Sequence, residues 1–144
     1  MACDLFVVVI GCGRLGSHLA NHLSGCGHGV VTVDCDERAF SNLSAGYCGF
    51  RVEGDATELA VLQKAKMASS DLVIATTRDD NINLMVAQVA RSMFSVPRVL
   101  ARVFNPRREA IYKRLGIETI CPTAVSGELF LQSISKDTAR ERTS

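Results

Sequence analysis

The sequence predicts an α/β protein: a doubly wound, parallel, six-stranded sheet in the order 3-2-1-4-5-6, followed by a C-terminal helix. Three observations predict it. Short continuous apolar runs alternate with helical patterns along all 144 residues, and strands that are apolar throughout belong to a parallel sheet covered on both faces. The first run, Leu5-Phe6-Val7-Val8-Val9-Ile10, feeds directly into Gly11-Cys12-Gly13-Arg14-Leu15-Gly16. The second, Val30-Val31-Thr32-Val33, closes on Asp34, eighteen positions past Gly16. Strand, glycine turn, helix, strand and acid in this order make a Rossmann-like β-α-β unit, and six strands complete such a sheet.

Strands are expected near 4–10, 29–34, 48–52, 71–75, 98–103 and 117–121. Helices are expected near 14–25, 37–45, 57–67, 80–94, 106–115 and 123–135. Asp36 can cap the second helix and Thr57 the third, because a short side-chain oxygen there accepts a free first-turn N–H. Gly46 and Gly116 stand just past helices, where a left-handed residue is wanted. Pro106 falls in a first turn, where a missing N–H is tolerated. The last helix carries Val125, Leu129, Phe130, Leu131 and Ile134. That apolar surface either packs on its own domain or joins a second subunit. One domain is expected over residues 4–135, with a polar tail over 136–144 that frays.

Each residue of the glycine turn has a physical reason. Gly11 permits a tight turn, Gly13 lets backbone approach a pyrophosphate, and Gly16 lets the helix lie close on the sheet. The free N–H groups and dipole of that helix then face the phosphates. Asp34 can accept hydrogen bonds from both ribose hydroxyls and would repel a 2′-phosphate. Arg14 can reach a terminal phosphate, in its own subunit or across a dimer. Asp36 can assist at the ribose or serve only as a cap. Cys12, near a helix N-terminus, is placed where its thiol pKa could fall.

Composition narrows the function classes. Hydrophobic residues make up 47% and charged residues 22%, with a formal net charge of +1, so neither disorder nor a global attraction to nucleic acid is indicated. A domain this size buries about 70% of its unfolded surface, enough for a core without staples. The longest apolar run is far short of a membrane span, and Asp4 interrupts any signal-peptide pattern. Six cysteines without a C-x-x-C pair fit a reducing cytosol and no zinc motif. His18, His22 and Cys26 recur every four residues, but Leu19, Ala20 and Leu23 define the core face, which turns the histidines outward. Arg98, Arg102, Arg107, Arg108, Lys113 and Arg114 concentrate charge in one region. Only Phe104 and Tyr112 lie nearby as aromatic platforms, so a solvated face is expected rather than nucleic-acid binding.

Further motifs follow in order. Gly54-Asp55-Ala56-Thr57 follows strand 3, and Thr77-x-x-Asp80-x-x-Asn83 follows strand 4. Ala101-Arg102-Val103-Phe104-Asn105-Pro106 closes strand 5, and Cys121-Pro122 follows strand 6. With the glycine turn and Val33-Asp34-Cys35-Asp36, this series over residues 4–135 resembles the N-terminal nucleotide-binding domain of the TrkA family, the regulators of potassium conductance. The resemblance implies a cytoplasmic domain that forms homodimers or higher rings and binds NAD/NADH or ATP/ADP/AMP. It implies a membrane potassium transporter or channel subunit as partner, with the domain at the inner face of the membrane through that partner. Ligand exchange would gate ion transport by conformational change. By motif match, Gly11, Gly13, Arg14, Leu15 and Gly16 would hold the phosphates and Asp34 the ribose, with Cys35 and Asp36 also in the binding set. Asp55 and Ala56 would lie along the adenine with Thr57 also in the binding set, Thr76 and Thr77 would line the pocket mouth, and Arg102 would stand near the base or a dimer partner.

Two departures stand out. Many relatives carry a second C-terminal domain beyond the point where this sequence stops. Some ATP-binding members have an acid after the proline that follows strand 6; here it is Thr123, so no metal site is expected there. The alternative reading is the cofactor domain of an NAD-dependent oxidoreductase. That chemistry needs a proton donor beside the nicotinamide. All three histidines fall before the second strand, and neither Tyr47 nor Tyr112 has a lysine four residues on. No catalytic residue is therefore assigned. A scaffold with an unused pocket is the third reading, and the intact glycine turn argues against it.

Overall fold

The computed structural model of the chain describes residues 4–143. Six strands form one parallel sheet in the order β3-β2-β1-β4-β5-β6, as the sequence predicts. They are β1 (Phe6–Ile10), β2 (Gly29–Asp34), β3 (Phe50–Glu53), β4 (Leu72–Ala75), β5 (Arg98–Arg102) and β6 (Glu118–Ile120). The α-helices are α1 (Arg14–Gly25), α2 (Leu59–Lys64), α3 (Asp80–Ser92), α4 (Glu109–Arg114) and α5 (Pro122–Thr143). The reversal of strand order falls between β1 and β4, so their carboxyl ends open a crevice where such sheets bind ligands.

Alternate side chains of the central strands feed two cores. Val7 and Val9 face α1, packing with Ala20, Val30, Phe40 and Ile74. Val8, Ile10, Val31, Val33, Val73 and Val99 face the other layer, against Leu62, Val86, Ala90 and Tyr112. Val7, Val8 and Val9 are each 0% exposed, and each stabilises the fold by about 1.5–3 kcal/mol relative to an exposed side chain. Leu19, Ala20 and Leu23 do form the buried face of α1, leaving His18 and His22 exposed.

Several local expectations are corrected. The expected helix over 37–45 is a short 3-10 run, Glu37–Asn42. Phe40 and Leu43 are both buried, and residues three apart eclipse in that geometry. Asp36 caps this run by accepting from the Arg38 N–H. Thr57 caps nothing: α2 begins at Leu59, and the Thr57 N–H and hydroxyl both donate to Asp55. The helix expected to 67 ends at Lys64, because Lys66 turns left-handed (φ 59°) and delivers Met67 to the core. Gly116 is left-handed at φ 72°, whereas Gly46 is not among the positive-φ residues. The expected helix over 106–115 is a 3-10 turn, Pro106–Arg108, running into α4. Finally, α5 continues past Ser135 to Thr143, where fraying is expected; residues 135–143 contain no Gly or Pro to stop it.

The sheet face that carries α1 is covered unevenly. Leu72 and Leu100 pack only partly against its core, and Ile120 on β6 is 53% exposed. On α5, Val125, Leu129, Phe130, Leu131 and Ile134 are each more than half exposed.

Candidate functional site

The site begins at the glycine turn. Gly11 has φ +99°, open to glycine at little cost, and its N–H donates to the Val33 carbonyl (2.7 Å). A Cβ on Gly16 would lie 1.8 Å from the Gly11 carbonyl oxygen, so only glycine lets α1 start this close to the loop. A Cβ on Gly13 would meet nothing within 4 Å. The backbone there borders open space at the first turn of a twelve-residue helix that has no side-chain cap and no acid in its first turn. That combination is a cradle for an anionic group.

Asp34 fixes the loop and borders the cradle. One carboxylate oxygen accepts the Cys12 N–H and the other the Asp36 N–H, both at 2.8 Å. A carboxylate oxygen has a second lone pair, so both oxygens keep acceptor capacity for a vicinal diol. Asn42 also holds the turn, donating to the Cys12 carbonyl (3.1 Å). Cys12 itself is 0% exposed. Burial and the Asp34 charge push its thiol up to about 11, which reverses the lowered pKa that the helix terminus suggests. Cys35 is exposed.

The remaining expected residues divide. Arg14 is exposed at the first position of α1 and pairs with no carboxylate among the described residues; Leu15 beside it is partly buried. Asp55 is exposed after β3, and the two hydrogen bonds from Thr57 hold its carboxyl below the usual range. Ala56 belongs to the core rim at 9% exposure. Thr76 does not line an open mouth. It is 3% exposed, with its hydroxyl shared between the Ile10 (2.9 Å) and Gly11 (3.2 Å) carbonyls, a strut beneath the glycine turn. Thr77 is partly buried, and its N–H and hydroxyl both donate to Asn83.

Arg102 reaches from β5 across the end of β4. Its Nη2 donates to the carbonyls of Thr76 (2.5 Å) and Thr77 (3.0 Å), and its guanidinium lies 4.5 Å from the centre of the Phe104 ring. Its Nε is buried without a partner. Burial and the neighbouring Arg78 charge lower its pKa.

Two residues that the motif spacing displays carry more than the sequence assigns them. Asn83 is 0% exposed; it accepts from Thr77 and donates to the Thr77 and Arg102 carbonyls, both at 3.0 Å. This ties the ends of β4 and β5 together. The Asp80 carboxylate accepts the Phe104 and Asn105 N–H groups, and its carbonyl accepts the Tyr112 hydroxyl. An acid and an amide three apart at a helix start are the sequence signal for this clamp. Beside it lies an open cavity of about 390 Å³, lined in part by Arg78, Asn81, Phe104, Asn105 and Arg108.

The charged cluster at the β5–α4 edge is partly engaged. Arg98 pairs with Glu118, Arg108 donates to Asn81, and Tyr112 is wholly buried. His22 and Cys26 meet at 3.8 Å, but no group of three His, Cys, Asp or Glu that could hold a metal forms among the described residues.

Comparison with known proteins extends this geometry. The TrkA-N domain family matches residues 7–123, from β1 through the turn into α5. The chain belongs to the TrkA-N family. Among curated relatives, the Trk system potassium uptake protein TrkA of Streptomyces coelicolor is 36% identical over 130 residues, covering 90% of this chain and 58% of that protein. A TrkA homolog of Methanothermobacter thermautotrophicus is 32% identical, covering 81% of this chain and 53% of that protein. The chain thus spans a little over half the length of these relatives. Among solved structures, the TrkA-N domain of the Escherichia coli inner membrane protein ybaL aligns with a TM-score of 0.79 (18% identity, 88% of this chain and 94% of that one). The GsuK channel bound to NAD aligns at 0.80 (22%, 94% and 24%), and the Shewanella denitrificans Kef CTD in AMP-bound form at 0.78 (22%, 96% and 87%). At these identities the alignments establish the TrkA-N domain's fold, with a Rossmann-like sheet common to all. No helix among the described residues is long and apolar enough to cross a membrane.

Proposed function

We propose that this TrkA-N domain is the nucleotide-sensing part of a potassium uptake system or channel, and that it binds NAD(H) or an adenine nucleotide in the β1–β4 crevice. The observation that carries the reading is the cradle at Gly13, open at the α1 N-terminus and flanked by Asp34. Phosphates lie along the first turn of α1, and the ribose hydroxyls meet the free acceptor positions of Asp34. The adenine extends toward Asp55, Ala56 and Thr57. Arg14 meets a terminal phosphate, so phosphate number is read as charge. The rest of a longer ligand runs over β4 toward the 390 Å³ cavity. The reading contains no chemical step. The NAD and AMP named with the structural neighbours support the ligand class, and the names of the curated relatives support the potassium system.

Signalling needs a partner and two arrangements, because a ligand shifts an equilibrium only by its differential affinity for the states. The exposed apolar side chains of α5, with Ile120 exposed on the thinly covered sheet face, support a homodimer or higher ring as the moving assembly. The domain then works at the cytoplasmic side of the membrane through a transporter or channel subunit. The test is calorimetric titration of the purified chain with ATP, ADP, AMP, NAD and NADH, repeated on Asp34→Ala and Arg14→Ala. Binding that weakens in Asp34→Ala, and discriminates phosphate number only while Arg14 is present, is expected. No binding by any of the five refutes sensing by this domain.

A further inference from the structure

The rim beyond β2 holds an ion pair that the reading above leaves unused. Asp36 accepts three hydrogen bonds from Arg38: from the N–H (3.0 Å), Nε (3.1 Å) and Nη2 (3.2 Å). The Arg38 guanidinium is thereby folded back two residues along the chain although its side chain is 91% exposed. Asp36 is itself anchored against Asp34, because its N–H donates to the Asp34 carboxylate. Glu53 on β3 stands in register with Asp34, and residues paired in register project to the same face of a sheet. Asp34, Asp36 and Glu53 therefore bring three carboxylates to the ends of β2 and β3, and the Arg38 guanidinium is committed to Asp36.

We infer that the Asp36–Arg38 pair sets the specificity of this rim against nucleotides carrying a phosphate on the adenosine 2′-oxygen. The inference rests on the proposed nucleotide site. Asp34 alone disfavours a 2′-phosphate by charge and by occupying the space beside the hydroxyl. An arginine close to that acid is what accommodates a 2′-phosphate in sheets that accept one, through a planar fork of donors. Arg38 is four residues past Asp34, in the first turn of the 3-10 run, and is in position to do so; Arg51 on β3, in register with Thr32, is a second arginine on this face. Asp36 withholds Arg38. The pair is a specificity device rather than a stabilising one, since an exposed ion pair contributes little to folding.

The substitution that separates these roles is Asp36→Asn. Its amide oxygen still accepts the Arg38 N–H and keeps the cap, while the charge that holds the guanidinium is gone. Titrations of the full chain compare NADH with NADPH, and AMP with adenosine 2′,5′-bisphosphate, for the unaltered protein, Asp36→Asn, and Asp36→Asn with Arg38→Ala. Circular dichroism checks that each is folded. The unaltered protein is expected to favour the unphosphorylated member of each pair. Asp36→Asn narrows that ratio by about tenfold, and adding Arg38→Ala restores it. An unmoved ratio in Asp36→Asn, or a gain that survives the loss of Arg38, overturns the inference while leaving the nucleotide site standing. Failure of the unaltered protein to bind any of the four ligands overturns the site itself and the inference with it.

Discussion

Gly13 and Gly16 lie three residues apart in one turn, and the structure gives them opposite roles. At Gly13 the backbone is extended (φ −76°, ψ −158°), so alanine adds no backbone strain. Its methyl group would meet nothing within 4 Å. Alanine is a poorer N-cap than glycine, but it also lowers the entropy of the unfolded chain; the two effects are each below about 1 kcal/mol and oppose one another. Gly13→Ala should therefore melt within a few degrees of the unaltered protein. In the proposed complex, however, the methyl group stands where the pyrophosphate approaches the α1 N–H groups. Holding the phosphates off the turn should weaken binding at least tenfold, about 1.4 kcal/mol. At Gly16 the methyl group would lie 1.8 Å from the Gly11 carbonyl oxygen and 2.8 Å from the Thr76 hydroxyl. Relief requires α1 to shift by more than an ångström, and overpacking of that kind costs about 1–3 kcal/mol or more. In a domain of this length that lowers the melting temperature by several degrees for each kcal/mol. The assay is paired, with thermal melting by circular dichroism beside calorimetric titration of NADH and ATP. A Gly13→Ala protein that is folded and binds like the unaltered one would refute the phosphate position. A Gly16→Ala protein that melts unchanged would refute the packing argument.

Three other outcomes follow from the geometry. Because the Cys12 thiol is buried and pushed up to about 11, only about one molecule in a thousand carries the thiolate at pH 8, and iodoacetamide on the native protein should label exposed Cys35 while sparing Cys12; peptide mass spectrometry showing equal labelling would contradict this. The Cys12 thiol and the Tyr112 hydroxyl, the latter pushed up to about 12, both lose protons more readily unfolded than folded. Their contribution is intact below pH 9 and is lost as pH rises through 9–12. Melting temperature should fall over that range, less steeply in Cys12→Ala, and a flat profile would contradict the burial argument. Asn83→Ala takes away the partner that the buried amide gives the Thr77 N–H and the Arg102 carbonyl, while the Thr77 carbonyl keeps Arg102, a loss of about 3 kcal/mol read by urea denaturation; a midpoint within error of the unaltered protein would show that the strand-end clamp contributes nothing.

The strand order and the glycine turn were legible in the sequence because their signals are local and redundant. Six apolar runs, a glycine at each tight approach and an acid at the end of β2 all point to one topology. The second helix was not legible as a 3-10 run, since Phe40 and Leu43 satisfy either period over so short a span. The end of α2 depended on Lys66 adopting a left-handed backbone, which its residue type does not announce. Among site residues, Asp34 was readable from position alone, but its two backbone partners were not, because they come from separate loops. Thr76 reads as a pocket residue by its place after β4, yet the close approach of α1 at Gly16 forces it under the turn. The Cys12 pKa went the other way from the helix-terminus argument for the same reason: burial and Asp34, both products of tertiary packing, outweigh the dipole. The engagement of Arg38 by Asp36 is a choice of rotamer, and sequence carries no signal for it.

The central claim is that an adenine nucleotide lies along the turn from Gly11 to Gly16 with its ribose on Asp34. Backbone amide shifts measured by two-dimensional NMR during titration with NADH and ATP test it most directly. The account predicts saturable shifts concentrated at residues 11–16, 34–36 and 55–57, abolished in Asp34→Ala. Saturable shifts confined to the far ends of the strands, or to α5, would contradict it.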